Sequence, residues 1–192
     1  MRSVKEIVTV VSGLPRSGTS MMMRMLEAGG MEVLVDATRP PDEDNLNGYY
    51  EFEKVKQVKA DSAWLDQAVG KAVKIISRLL YDLPQNRKYK IIFMMRSMTE
   101  ILASQKVMLA RGGNKGSDVA DDAMERSFNT HLQRVTEWLA RQTNLEVVYV
   151  GYNDMMEDPP THAEIVNQFL GDGLDIQKMI GVVDRSLYRN RA

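Results

Sequence analysis

The feature that most constrains this chain is a strand–loop–helix unit near its start. An apolar run, Ile7 to Val11, leads into the loop GLPRSGTS, and a segment with apolar residues at helical spacing follows. Gly13 and Gly18 stand at the spacing of a phosphate-binding loop, and Ser20 supplies a hydroxyl at its end. Backbone N–H groups in such a turn, together with the positive end of a helix dipole, form a concave anion site. The unit therefore predicts an anion-binding loop between a strand and a helix.

One loop position departs from the pattern of nucleotide triphosphatases. Thr19 stands where those proteins carry lysine, and Arg16 is the cation within the loop. A guanidinium group grips two phosphate or sulfate oxygens at once, and a hydrogen bond to a charged group contributes roughly 1.5–3 kcal/mol. The predicted anion-binding residues are Arg16, Ser17, Gly18, Thr19 and Ser20. The alternative is that the two glycines mark only a tight turn.

Length and composition narrow the class of protein. The 192 residues fit a single domain, residues 1–192. A formal net charge of −1 gives no global basic field for nucleic acid or an acidic membrane. The chain has no cysteine, which excludes disulfides, zinc–thiolate sites and a cysteine nucleophile. The first apolar run is too short to span a bilayer, so we expect a soluble, cytoplasmic protein without membrane insertion.

Apolar runs and helical spacing alternate along the rest of the chain. Further strands are predicted at Val33 to Val35, Ala72 to Ile76, Tyr89 to Met95 and Leu145 to Val150. Helices are predicted from the loop to Gly29, at 53–69, from Ser97 onward, at 118–141, from a cap at Thr161 to Gly171 and, briefly, within 174–192. The segment 36–53 is predicted to be an ordered loop or lid, and 111–116 a mobile connection. The alternation predicts an α/β fold, a three-layer parallel sheet flanked by helices, with ligands at the carboxyl ends of the strands.

A second anion site is predicted where the run Tyr89 to Met95 ends. Arg96 follows the run at once, and the sequence from Ser97 to Glu100 is typical of a capping box that opens a helix. Ser104 lies eight residues beyond the arginine, about two helical turns, where its hydroxyl can face the same ligand. The alternative interpretation makes Arg96 a structural ion-pair partner.

Two further residues stand at informative places. Lys74 is the one charge in the predicted strand Ala72 to Ile76, and a buried lysine is costly unless it faces a cleft or an anion. The alternative is an edge strand that leaves Lys74 in water. His131 lies beside the apolar stripe of the predicted helix at 118–141, so it is either a packed, satisfied histidine or a catalytic base.

Several separated segments together resemble one family, the PAPS-dependent sulfotransferases, whose donor is 3′-phosphoadenosine 5′-phosphosulfate (PAPS). GLPRSGTS is similar to their 5′-phosphosulfate loop in its arginine form, which many bacterial members carry. IIFMMRSMTEILASQ resembles their 3′-phosphate segment, including its arginine-to-serine interval. VVYVGYNDMMEDP, followed by IVNQFLG, resembles their late tyrosine-acid-acid segment, and AVKIIS resembles the strand that supplies an active-site lysine. The resemblance covers most of the chain and implies a P-loop-like sulfotransferase architecture.

The resemblance implies a role for each matching residue. It places Arg96 and Ser104 at the donor's 3′-phosphate, Tyr152 at its adenine, and Lys74 near the transferring sulfuryl group. It also implies PAPS as the donor co-substrate and no metal ion. The chain departs from the family pattern at Ser97-Met98, where Asn-Pro or Asp-Pro is common, and it lacks the Thr-Pro that usually follows the lysine.

The general base is left open among three residues. Hormone-type members use a histidine and tyrosylprotein members a glutamate, and an ungapped count from Arg16 puts Ala37, next to Asp36, at the place of that glutamate. The stretch NLNGYYE resembles a motif of some bacterial members, which favours Glu51. Glu51 and then Asp36 are therefore the candidates, with His131 as the third.

The predicted function is metal-independent, in-line transfer of a sulfuryl group from PAPS to a hydroxyl or amine of an acceptor. The predicted catalytic residues are Arg16, Lys74, Glu51 and Asp36. The acceptor is left open among small molecules, sugars, lipids and peptides, and so is the oligomeric state. One alternative is a P-loop nucleotide kinase or hydrolase, which needs the lysine missing at position 19 and a strand-end carboxylate, for which Asp154 is the only loose candidate. The other alternative is a catalytically inactive PAPS-binding protein.

Overall fold

The computed structural model describes residues 7–36, 48–111 and 121–184, and its centre is a parallel sheet. The four strands are β1 (Ile7–Gly13), β2 (Ala72–Lys74), β3 (Lys88–Met95) and β4 (Leu145–Gly151). They lie in the order β2-β1-β3-β4, and all neighbours pair in parallel. β1 is central, because its residue Val10 lies opposite Val73 on one side and Ile91 on the other.

Helices connect and cover the strands. The α-helices are α1 (Thr19–Ala28), α2 (Leu65–Ala68), α3 (Met98–Arg111), α4 (Asp121–Leu139), α5 (Tyr152–Glu157), α6 (Pro159–Leu170) and α7 (Ile176–Gly181). Two 3₁₀ helices lie at Glu53–Gln57 and Ser77–Asp82. None of the helices in the described stretches is both long and apolar enough to cross a membrane.

Successive residues of a strand point into two different hydrophobic cores, one on each face of the sheet. Val10 and Ile91 point to the face covered by α2, α4 and the 3₁₀ helices, where Trp64, Leu65 and Val135 are buried. Their neighbours Val11 and Ile92 belong to the opposite core, which α1, α5, α6 and α7 cover. A strand with both faces buried is typical of a parallel sheet between two helical layers. The predicted α/β fold with helices on both faces is confirmed.

Methionine fills much of the core beneath α1. The buried methionines of this core are Met22, Met23, Met25, Met94, Met155, Met156 and Met179. Their unbranched side chains adapt to irregular gaps between four short helices and the sheet.

The predicted helix at 53–69 is wrong. The chain forms a 3₁₀ helix at Glu53–Gln57, then a turn in which the Asp61 carboxylate accepts a hydrogen bond from the Ala63 N–H at 2.9 Å, and only then the four residues of α2. A side chain that satisfies the backbone two residues on favours a turn over a helix. The predicted strand at Val33 to Val35 is likewise reduced to one bridge, between Val33 and Ala72.

The predicted cap at Thr161 is also wrong. α6 begins at Pro159, and Asp158 caps it by accepting a hydrogen bond from the Thr161 N–H at 3.3 Å. Proline suits the first helical turn because its fixed φ is helical and no N–H is needed there. The cap and the helix start therefore lie three residues earlier than the Thr161 pattern indicated.

Some predictions fall on residues that the structure does not describe. These are most of the predicted lid, at 37–47, most of the predicted mobile connection, at 112–116, and the chain beyond residue 184.

Candidate functional site

The carboxyl ends of all four strands carry residues of the candidate site. The loop that holds Arg16 follows β1, Lys74 ends β2, Arg96 follows β3, and Tyr152 follows β4. After β1 the chain goes first to β2 on one side and then to β3 on the other, so β1 marks the switch point of the sheet. In open parallel sheets the ligand crevice lies at this point.

The loop after β1 is a tight turn that exposes the start of α1. The Ser17 hydroxyl and N–H both donate to the Leu14 carbonyl oxygen, at 2.7 and 3.2 Å. Arg16 lies in the left-handed region with φ 69°, and Gly18, the N-cap residue of α1, has φ 97°. Gly18 has no side chain that could cap α1. Backbone N–H groups at such a helix start suit an anion.

The glycine at position 18 is required by space as well as by its dihedral angle. A Cβ atom on Gly18 would overlap Cδ2 of Tyr152 and lie 3.1 Å from its Cε2. The ring of Tyr152 therefore packs directly on the loop, and the start of α5 meets the β1 loop at this contact.

The two predicted anion sites touch each other. Arg16 donates from Nε to the Ser104 hydroxyl at 2.9 Å, and Arg96 donates from Nη1 to the Arg16 carbonyl oxygen at 3.0 Å. Ser104 is buried on α3, far from the loop in sequence. The fold therefore brings Arg16, Arg96 and Ser104 together, although they span 88 residues of sequence.

Arg96 is also one half of a buried ion pair. Its Nε donates to Glu100 Oε2 at 2.7 Å, and the two side chains are only 9% and 4% exposed. Glu100 Oε1 accepts a second hydrogen bond, from Asn153 Nδ2 at 2.9 Å. The Arg96 guanidinium lies 4.3 Å above the centre of the Tyr152 ring. Burial raises the pKa of Tyr152, and the positive charge of Arg96 opposes part of that rise.

Glu100 and Asn153 are residues that the sequence reasoning missed. The capping-box pattern assigned Glu100 to the Ser97 N–H, but Asn153 Oδ1 lies 3.4 Å from that N–H, and both Glu100 oxygens accept from other side chains. The i,i+4 spacing of Arg96 and Glu100 is the sequence pattern that could have indicated this ion pair. The alternative that makes Arg96 a structural ion-pair partner is therefore true in part. The ion pair with Glu100 fixes the same guanidinium that lies beside the loop.

Lys74 is covered even though β2 is an edge strand. Its side chain is 8% exposed, and its Nζ donates to the Tyr49 carbonyl oxygen and lies 3.6 Å from Glu51 Oε1. The Ser20 hydroxyl donates to the same carbonyl oxygen at 3.3 Å. The alternative that places Lys74 in water is wrong, because residues 48–51 lie over the end of the strand.

The two candidate carboxylates have different surroundings. Glu51 lies beside Lys74, whereas Asp36 Oδ2 accepts the Glu53 N–H at 2.6 Å. The Asp36 N–H also donates to the Glu51 carbonyl oxygen at 3.0 Å. Asp36 therefore ties its own segment to residues 51–53, and Glu51 is the carboxylate that faces the lysine.

His131 lies on α4 against the second 3₁₀ helix. Its Nε2 is 2.8 Å from the Ser77 hydroxyl. Burial lowers the pKa of His131, and the positive charge of Arg78 lowers it further. This surrounding favours the neutral imidazole.

The family is shown by a comparison with protein-family models. The model described as the sulfotransferase domain matches residues 7–190. The chain belongs to the sulfotransferase family.

Three solved structures illustrate the fold that this chain shares. The mouse sulfotransferase SULT7A1 complexed with PAP aligns with a TM-score of 0.59 and 18% identity, over 95% of this chain and 64% of that chain. The sulfotransferase domain from the curacin biosynthetic pathway aligns with a TM-score of 0.55 and 15% identity, over 92% of this chain and 77% of that chain. Retinol dehydratase in complex with androsterone and inactive cofactor PAP aligns with a TM-score of 0.55 and 17% identity, over 95% of this chain and 65% of that chain. This chain thus spans under two thirds of the length of the mouse protein, and no curated protein sequence gives a significant match.

Replacing Gly18 by alanine should damage the loop more than the backbone angle alone explains. Gly173 has a similar positive φ of 111°, but a Cβ added there would meet no atom within 4 Å, so Gly173→Ala is the matched control. A left-handed alanine costs roughly 1–2 kcal/mol at either position. The overlap with Tyr152 should add about 1–3 kcal/mol at Gly18 only. Urea denaturation of both variants measures the difference, and equal losses would contradict the packing of Tyr152 on the loop.

His131 should make the folded chain less stable as the pH falls. Its pKa is lower in the folded state than in the unfolded state, where it is about 6.5. Below that value the unfolded chain binds a proton that the folded chain does not, so stability rises with pH through this window. Urea denaturation between pH 5 and 8 should show a smaller slope for His131→Asn than for the parent. Equal slopes for the variant and the parent would contradict the lowered pKa of His131.

Proposed function

We propose that this chain is a sulfotransferase that uses PAPS as donor and acts on a hydroxyl or amine of its acceptor. The observation that carries the proposal is the link from Arg96 to the Arg16 carbonyl and from Arg16 to Ser104. It joins an anion loop after β1 to a second cationic site after β3. A donor with a phosphosulfate at one end and a 3′-phosphate at the other needs two such sites side by side. Family membership and the PAP bound to two proteins of the same fold support this choice.

The side chains present fit such a donor. The uncapped start of α1 and the Arg16 side chain suit the phosphosulfate, while Arg96, packed on the face of Tyr152, suits a phosphate next to an aromatic base. The proposed donor-binding residues are Arg16, Ser17, Gly18, Thr19, Ser20, Arg96, Ser104 and Tyr152. When bound, the donor supplies an activated sulfuryl group, whose sulfur–oxygen bond to the phosphate breaks as the bond to the acceptor forms.

Glu51 is the proposed general base. Its carboxylate lies 3.6 Å from Lys74 Nζ, whereas Asp36 is engaged with the Glu53 N–H. A carboxylate at that place can take the proton that the acceptor hydroxyl or amine loses on attack. Asp36 and His131 are the second and third candidates.

Lys74 and Ser20 are proposed to stabilise the charge that develops on the leaving oxygen. Both donate to one carbonyl oxygen, that of Tyr49, which places the ammonium and hydroxyl groups side by side. Two donors held together can both stabilise negative charge that develops on one oxygen. Arg16 is proposed to hold the equatorial oxygens, and the scheme uses no metal ion.

The Glu51→Gln variant separates the role of the base from donor binding. If Glu51 takes the acceptor proton, kcat should fall by roughly 10²–10⁴ while the affinity for PAP changes little. Asp36→Asn is the matched control, since it removes a nearby carboxylate that does not face Lys74. Transfer from labelled PAPS to a panel of alcohols, sugars, lipids and tyrosine peptides supplies the rate, and calorimetry with PAP supplies the affinity.

Two outcomes of this experiment would contradict the proposal. A parent protein that binds PAP but modifies no acceptor class would be a donor-binding protein without the activity. A larger loss of kcat in Asp36→Asn than in Glu51→Gln would move the base to Asp36.

A further inference from the structure

A groove of about 770 Å³ lies between the second 3₁₀ helix and α4. The residues that line it and matter here are Arg78, Tyr81, His131, Arg134, Trp138 and Arg141. Small-molecule sites commonly have volumes of roughly 300–1,000 Å³. None of the roles proposed for the sulfotransferase site uses the arginines or the large aromatic rings of this groove.

Aromatic rings form one side of the groove. The Tyr81 and Trp138 rings meet edge to face with their centres 4.9 Å apart, and the His131 ring lies 6.4 Å from Tyr81. Tyr81 is 40% exposed although its ring contacts two other rings. The exposed ring surface suits a planar ligand that stacks on it.

Three arginines line the same groove. Arg78 comes from the 3₁₀ helix, Arg134 comes from α4, and Arg141 lies two residues beyond the end of α4. Among the described residues, none of the three has a carboxylate oxygen within 4 Å. Two acids, Asp82 and Glu137, also line the groove, and Glu137 accepts a hydrogen bond from Gln133 at 3.0 Å.

The positive charges of two arginines change the pKa values of groove residues. Arg78 helps to lower the pKa of His131, and Arg134 opposes the rise that burial causes in the pKa of Tyr81. With His131 neutral and bonded to Ser77, the groove holds three cations and two carboxylates. An arginine fork beside an aromatic face is the arrangement that binds planar molecules carrying a carboxylate, sulfate or phosphate.

We propose that this groove binds a small planar aromatic anion, which stacks on Tyr81 and Trp138 and pairs with Arg78 and Arg134. The proposal does not depend on sulfuryl transfer, because it rests only on the shape and charge of the groove. Its failure would leave the donor site and the proposed reaction unaffected.

Tryptophan fluorescence provides a local test. The chain has two tryptophans, so Trp64→Phe leaves Trp138 as the reporter in the groove. The probes are 4-nitrobenzoate and its neutral partner 4-nitrobenzamide, titrated with saturating PAP present to keep them from the nucleotide site. We expect saturable quenching by the benzoate, with an affinity at least tenfold higher than that of the amide. Calorimetry on the parent protein repeats the comparison, so that the test stands if Trp64→Phe folds poorly.

Arginine variants show whether Arg78 and Arg134 bind the carboxylate of the probe. The double variant Arg78→Gln and Arg134→Gln should weaken 4-nitrobenzoate binding at least tenfold and leave the amide unchanged. Arg126→Gln, an exposed arginine of α4 that does not line the groove, is the matched control and should bind like the parent. Equal affinities for the two probes, an equal loss in the Arg126 variant, or no saturable binding would each overturn the proposal.

Discussion

The buried guanidinium of Arg96 is the group on which the rest of the site depends. One edge donates to Glu100, another nitrogen donates to the Arg16 carbonyl, and its face covers the Tyr152 ring. These contacts tie β3 and α3 to the loop after β1 and to the start of α5. A buried cation is costly unless a carboxylate and further hydrogen bonds compensate it, and here both are present. Removing Glu100 would therefore leave a charge without its partner in the middle of the site.

A second set of contacts closes the other side of the site. The Tyr49 carbonyl oxygen accepts from Lys74 and from Ser20, and Glu51 lies beside the same lysine. These contacts hold the residues before the first 3₁₀ helix against the loop and the end of β2. The cation, the hydroxyl and the carboxylate that the proposed reaction needs are thus set by one short segment of backbone.

Local patterns were enough to predict much of this arrangement. Arg16, Lys74 and Arg96 could be found because each follows or ends an apolar strand, and in a parallel sheet such positions meet at one edge. Thr19, in place of the usual lysine, pointed away from nucleotide triphosphatases, and family membership agrees with that.

The sequence was less informative where distant residues decide the structure. The bond from Asn153 to Glu100 joins residues 53 positions apart, and the Tyr49 contact uses a backbone carbonyl, which every residue has. The helix predicted at 53–69 failed because Asp61 satisfies a backbone N–H locally, so a turn replaces the helix despite the apolar spacing. Periodicity describes which face is buried, but it does not show where a polar side chain interrupts the element.

We propose that the β1 loop and Arg96 together form a site for a nucleotide with both a 5′-anion and a 3′-phosphate. Calorimetric titration of PAP against adenosine 5′-phosphate, which lacks the 3′-phosphate, tests this proposal most directly. We expect the parent protein to bind PAP at least tenfold more tightly and Arg96→Gln to lose most of this preference. Equal affinity for the two nucleotides in the parent, or binding of ATP with magnesium but not of PAP, would contradict it.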